Sequence, residues 1–411
     1  MPELKTVICD AIEKYKSELI TLSHEIHDDP ELSGQEFRAS RRICDFLSAK
    51  CFEVTREFCN EKTAFRARLS SNRKGPVVAF IAEYDALAGL GHGCGHNIIA
   101  TCAVGAALGI SEVISGTDGE VRVIGCPDEE GTGGKLKLLK AGAFNDVDYV
   151  LEVHPGNKNL INRGHVACSE ITVEYIGKEA HSSLPSAGIN ALSAMITLFN
   201  MVDVHRQSWP TKWVPRINGI ICEGGKASNV ITPYACGKLL VRTKHVEELM
   251  TVIKDIENLA AAAGESVGAK LKIRHSQIFE DTIQNTTMGF KFAENMKTLG
   301  VTMNLPEPDE RMGSSDIGNV SHVVPTIHEY LRITDPESNF GTHTMEFVSA
   351  AASPRGDEAV ILGAKGMAMT AYDLFTDYEL RNAVDKEFET SLEKYKLTSA
   401  SVSGRQRAYS V

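Results

Sequence analysis

The sequence predicts an α/β protein: a mostly parallel sheet with helices on both faces, interrupted by an inserted α+β block. Three observations carry that expectation. Short apolar runs over residues 77–82, 121–126 and 149–153 alternate with helix-like segments, which implies parallel strands joined by helical crossovers. Over 169–176 polar and apolar residues alternate, as in a sheet with one wet face. A chain of 411 residues also exceeds what one hydrophobic core ordinarily covers, so two domains are expected.

Taken in order, helical periodicity runs over 4–27 and stops at Asp28-Asp29-Pro30, because proline cannot continue a helix. A second helix is expected over 36–49. The run Val-Val-Ala-Phe-Ile-Ala stands behind Gly75-Pro76 and reads as a buried strand, as do the runs at 121–126 and 149–153. After the alternating strand come a helix over 190–205, further alternating strands and an alanine-rich helix over 245–263. Near Asn285 the pattern returns to helix, then a strand over 325–330 and a last helix over 357–374. Residues 1–168 and 284–390 therefore form one domain, and 169–283 an insertion. Residues 391–411, with Ser399-Ala-Ser-Val-Ser-Gly-Arg-Gln-Arg, read as a polar tail.

Composition excludes several classes. Hydrophobic residues at 43% and charged residues at 24% fit a soluble globular enzyme. A net charge of −11 argues against a nucleic-acid partner, which needs a basic face. The longest apolar segment, 98–114, is broken by Thr101, Gly105, Gly109, Ser111 and Glu112, so no membrane span is expected. No basic region followed by an apolar run opens the chain, and the ten cysteines read as free thiols, one of them a metal ligand. The expectation is cytoplasmic.

The chemistry lies in Gly93-Cys94-Gly95-His96-Asn97, Glu129-Glu130 and His154, each just after a predicted strand. In open α/β sheets ligands gather at the carboxyl ends of strands, so these clusters can converge. Singly, each has a blander reading: an incidental Cys-x-His, a solvated glutamate pair, a packed strand end before Pro155. Three at successive strand ends favour a metal site, and a thiolate, imidazoles and a carboxylate suit Zn²⁺, with Mn²⁺ as the alternative. Glu130-Gly-Thr-Gly-Gly-Lys135 is not a phosphate loop, since Leu136 stands where the Mg²⁺-binding hydroxyl belongs. Cys94 as the nucleophile of a Cys–His hydrolase is the stronger competitor. A metal-bound thiolate attacks poorly, and the carboxylate doublet favours the metal.

Further motifs agree in order and spacing: His27-Asp-Asp-Pro-Glu-Leu-Ser33 with Glu36, Ala82-Glu-Tyr-Asp-Ala-Leu87, Gly91-His-Gly-Cys-Gly-His-Asn97 and Pro127-Asp-Glu-Glu-Gly131. They continue with Glu152-Val-His-Pro155, Ala180-His-Ser-Ser-Leu-Pro185, Gly224-Gly-Lys-Ala-Ser-Asn-Val-Ile231, Gly313-Ser-Ser-Asp316 and Gly341-Thr-His343. Together they resemble the aminoacylase/carboxypeptidase family of two-metal peptidases. The branch is that of hippurate hydrolases, auxin-conjugate amidohydrolases and intracellular dipeptidases.

The resemblance implies two divalent ions per subunit, with Cys94, His96, Glu130, His154 and His343 as ligands. Glu129 would be the general base, and Asp85 would orient a ligand from behind. The insertion would be a lid through which the chain forms a homodimer. From it His181 would stabilise the developing oxyanion, and Asn229 and Arg242 would clamp the substrate carboxylate. Asn97 stands where hippurate and auxin-conjugate hydrolases carry Asp and dipeptidases carry Asn. Ala88, Ser315 and the Thr232-Pro233 extension are further departures.

The expected activity is hydrolysis of a dipeptide or N-acyl-amino acid with a free carboxylate. Two metal ions activate water and polarise the amide, a neighbouring glutamate moves the proton, and an arginine fork matches a carboxylate. Rival readings are an N-acyl-amino-acid amidohydrolase, amide formation at the same site, and a silent relative that binds a carboxylated ligand. The complete ligand set with Glu129 argues against the last.

Overall fold

The apolar runs fold as strands of a six-stranded sheet in the computed structural model, which describes residues 2–338 and 340–406. In chain order these are β1 (Glu53–Arg56), β2 (Phe65–Ser70), β3 (Val77–Ala82), β4 (Glu120–Gly125) and β5 (Tyr149–Gly156). The sixth, Thr326–Arg332, follows the insertion and pairs in parallel with β5. β3 lies between β4 and β5, parallel to both, whereas β1 and β2 complete one edge in antiparallel fashion. That edge pair was not expected from the sequence. β2 buries Phe65 and Ala67 and turns Arg66 and Arg68 outward, so it lacks the continuous apolar signal of the central strands.

Both faces of β3 are covered. Val78 and Phe80 join a core with Ile8, Leu19, Ala103 and Ala364 from four helices, while Ala79 and Ile81 meet Leu138, Phe144 and Ile317 on the other side. The single helix expected over 4–27 is two, Pro2–Lys14 and Lys16–His27, broken at Tyr15, which leaves the helical region at φ −94° and ψ 5°. Residues expected as a polar tail from 391 belong to a helix, Tyr378–Gln406, and the last five residues of that expected tail, 407–411, lie outside the described residues. Its polar composition concealed buried anchors at Leu380 and Val384.

Contacts divide the chain into two units. Among the described residues, the first holds 2–164 and 282–394, and the second His165–Asp281 with 395–406. In the second unit β6 (Ala167–Ile176), β8 (Arg216–Glu223), β10 (Tyr234–Thr243) and β11 (Lys270–His275) form an antiparallel sheet. Its order is β11-β6-β10-β8, beside a short pair of β7 (Ala180–His181) and β9 (Val230–Ile231). Helices Ala191–His205 and Val246–Val267 pack on the face that carries Ile171, Val173, Leu239 and Val241. No helix among the described residues is long and apolar enough to cross a membrane.

One buried carboxyl in the first unit makes stability depend on pH. Glu329 is 1% exposed, and its Oε2 accepts the Asn162 N–H at 2.8 Å. Burial pushes its pKa up to about 8 from 4.5, against that hydrogen bond. The unfolded chain releases this proton near 4.5 and the folded chain near 8. The native state therefore binds more protons in that window, and stability falls as pH rises through it, by up to about 5 kcal/mol. Glu329→Gln keeps an oxygen for Asn162 and removes the ionisation. Thermal melts should fall less between about pH 6 and about pH 9 than in the wild type. An identical fall in both proteins would contradict this assignment.

Candidate active site

The turn after β3 brings a carboxylate pair and the Cys-x-His motif to the carboxyl ends of the parallel strands. Gly95, at φ +73°, precedes the helix His96–Ser111. A Cβ there would lie 2.6 Å from Pro155 Cγ, so glycine lets this turn press against the strand carrying His154. His343, itself at φ +66°, donates its backbone N–H to Gly93 O at 2.8 Å and closes its loop onto the same turn. Glu36 of the N-terminal motif accepts the Asp128 N–H at 3.0 Å and braces the glutamate-pair loop.

Donor atoms thereby converge from four segments. Cys94, His96 and His154 form one group within 4.8 Å, Cys94, Glu130 and His343 a second, and His96, Glu129 and Glu130 a third. The five expected ligands and Glu129 thus stand together in the first unit. Their hydrogen bonds orient them as ligands are oriented. His96 Nδ1 donates to Asp85 Oδ1 at 3.0 Å, which turns Nε2 inward. Asp85 Oδ2 accepts from Ser33 Oγ and from the Glu130 N–H, so this carboxylate ties one donor to another. His154 Nδ1 donates to Pro155 O at 2.6 Å, leaving Nε2 as a lone pair. His343 Nε2 lies 3.0 Å from Cys94 Sγ.

The electrostatics favour a cation here. Burial, then His96, pull His154 down to about 4, so it is neutral and able to ligate. Burial pulls His96 down too, but Asp85 and Glu83 outweigh it and raise it. For Asp85 burial is likewise outweighed, by His96, and its carboxyl is held well below the usual range. Burial pushes the Cys94 thiol up, the reverse of what an activated nucleophile needs. Glu130 Oε1 is buried without a hydrogen bond, 3.5 Å from His343 Nε2. A thiol, inward imidazole nitrogens and an unsatisfied carboxylate oxygen fit Zn²⁺ or Mn²⁺.

Sequence reasoning missed an acidic group behind this site. Glu83, Glu129 and Asp316 bring their oxygens within 4.8 Å, and the Lys135 ammonium is buried against Glu83 and Asp316. Glu83 stands two residues before Asp85, the spacing at which side chains share one face of an extended segment, and that was the available signal. Asn97 also gains a reason. Its Nδ2 donates to Ser23 Oγ at 2.9 Å and to Ala351 O at 3.1 Å, and an ionised Asp could donate to neither.

The remaining expected residues lie in the second unit. His181 on β7 pairs with Val230 on β9, and the Ser182 N–H donates to Asn229 O at 2.9 Å, so His181 and Asn229 are neighbours. His181 Nδ1 accepts the Ser183 N–H at 3.2 Å, which leaves the proton of a neutral ring on Nε2, a donor. Arg242 projects from the polar face of β10, opposite Cys168 and Arg216 in register.

Fold and site together are those of a hydrolase acting on peptide or amide bonds, and comparison with known proteins agrees. The profile of peptidase family M20/M25/M40 matches residues 79–375, and the chain belongs to that family. It is 35% identical over 416 residues to the Xaa-Arg dipeptidase of Mus musculus, covering 96% of this chain and 94% of that protein. Among solved structures, a putative aminohydrolase from methicillin resistant Staphylococcus aureus superposes with a TM-score of 0.77 at 19% identity. The match covers 90% of this chain and 100% of that one. A Bacillus subtilis protein described as a dinuclear metal binding peptidase gives 0.62 at 18% identity, over 87% and 99%. At these identities the structural matches speak for the fold alone.

Proposed function

We propose that this chain is a cytoplasmic dipeptidase that works with two divalent ions, zinc in preference to manganese, on substrates with a free carboxylate. The observation that carries this is the convergence of Cys94, His96, Glu130, His154 and His343 in overlapping groups, with Glu129 beside His96 and Glu130. Bound there, two ions would supply an activated water and polarise the scissile carbonyl. Glu129 would hold a proton taken from the attacking water at its carboxylate and pass it to the leaving amine. Asp85 keeps His96 Nδ1 protonated and Nε2 inward. His181 offers its Nε2–H to the developing oxyanion, and Asn229 and Arg242 hold the carboxylate. A cavity of about 640 Å³ lined in part by Pro155, Tyr330, Gly341 and Thr342, beside His154 and His343, has room for the acyl side. Similarity to an Xaa-Arg dipeptidase over nearly the whole of both chains favours a dipeptide over an N-acyl-amino acid, with a basic C-terminal residue. The second unit, in this reading a lid over residues 169–283, joins two copies as a homodimer.

A panel of dipeptides, N-acyl-amino acids and the C-terminal amides of the same dipeptides tests this reading. Free dipeptides should turn over fastest. Arg242→Ala should raise KM for them by about 10- to 100-fold, because a charged hydrogen bond is lost, and leave the poor amides almost unchanged. Equal losses for acids and amides would show that Arg242 does not hold the carboxylate.

A further inference from the structure

Lys135 has no part in the chemistry described so far, yet it is the most deeply buried cation near the site. Its side chain is 0% exposed, its Nζ donates to Asp316 Oδ1 at 2.6 Å and to Glu83, and its backbone N–H donates to Asp316 Oδ2 at 2.9 Å. The local backbone fixes it relative to Glu129. Gly133 sits at φ +80°, and a Cβ on Gly134 would lie 1.8 Å from Pro127 O, so the turn before Lys135 packs directly against the start of the glutamate-pair loop. Glu129 belongs to two candidate cation groups: one with His96 and Glu130, the other with Glu83 and Asp316. The second consists of three carboxylates, the hard oxygen set that divalent ions favour.

We propose that Lys135 is a positioning residue whose ammonium is a fixed cation for this second group, keeping Glu129 off a metal ion and available as the base. The inference rests on the metal-dependent reading above. An ammonium already seated between Glu83 and Asp316 satisfies two of the three carboxylates and repels a divalent ion from the third. Without the ammonium, three close carboxylates would recruit a divalent ion and bind Glu129 as a ligand.

The test is metal content by elemental analysis after equilibration with Mn²⁺ and removal of excess, with steady-state kinetics alongside. Lys135→Met should bind one more ion per chain than the wild type. Its kcat should fall about 100-fold or more, with KM changed by less than about threefold. Lys135→Arg should keep the wild-type metal count and part of kcat. Lys135→Met combined with Asp316→Asn should return to the wild-type count, because the oxygen set is then incomplete. Lys135→Gln gives the same reading should the methionine variant not fold. A folded charge-free variant with unchanged metal content, or with unchanged kcat, overturns the inference. A wild-type chain that binds no divalent ion overturns the metal reading itself, so the two failures are distinct.

Discussion

Glu129→Gln is expected to keep its metal ions and lose turnover by about 10²- to 10⁴-fold, the contribution of a positioned general base. Glutamine retains the shape and one acceptor oxygen but cannot take a proton from water. The fall should appear in kcat and kcat/KM together, since the interaction belongs to the transition state. The electrostatics suit the role: burial first, then Glu83, Glu130 and Asp316, push Glu129 well above the usual carboxylate range. A carboxylate held in that way is a strong base once nearby cations ionise it. Glu130→Gln should behave differently, losing metal as well as turnover. If Glu129→Gln lost the metal and Glu130→Gln kept it, the two roles would be reversed.

The second large effect is a recovery. In the proposed homodimer, joined through the second unit, His181 of one copy would serve the proposed metal site of the other. His181→Ala and Glu129→Ala should each be inactive alone. Mixed in equal amounts and allowed to exchange, half the dimers would be mixed, each with one intact site, so about a quarter of wild-type activity should return. Mixed dimers recovered through two different tags without any return of activity would show that His181 acts within its own chain or not in catalysis.

Much of this site could be read from the sequence because its residues announce themselves twice, by type and by place. Cys94, His96, Glu129, Glu130 and His154 each follow an apolar run, and a buried parallel strand is the strongest local signal in the chain. β2 was not legible, since it buries Phe65 and Ala67 on one face and turns Arg66 and Arg68 outward on the other. The helix through Gln406 was hidden for a related reason: in a polar stretch, Leu380 and Val384 are too sparse to mark a periodic face. Lys135, Glu83 and Asp316 lie far apart in the chain, at positions 135, 83 and 316, and beyond the spacing of Glu83 to Asp85 nothing local distinguishes their buried ion pairs from surface charges. His181 and Arg242 carry no spacing signal of their own, and their proposed roles rest on resemblance alone.

The most direct measurement is the metal content of the purified chain, taken with its activity before and after exhaustive chelation. The account predicts about two divalent ions per chain, loss of activity with their removal, recovery on adding Zn²⁺ or Mn²⁺, and a lower count in His96→Ala. Full dipeptidase activity in a chain from which elemental analysis finds the metal gone would contradict it.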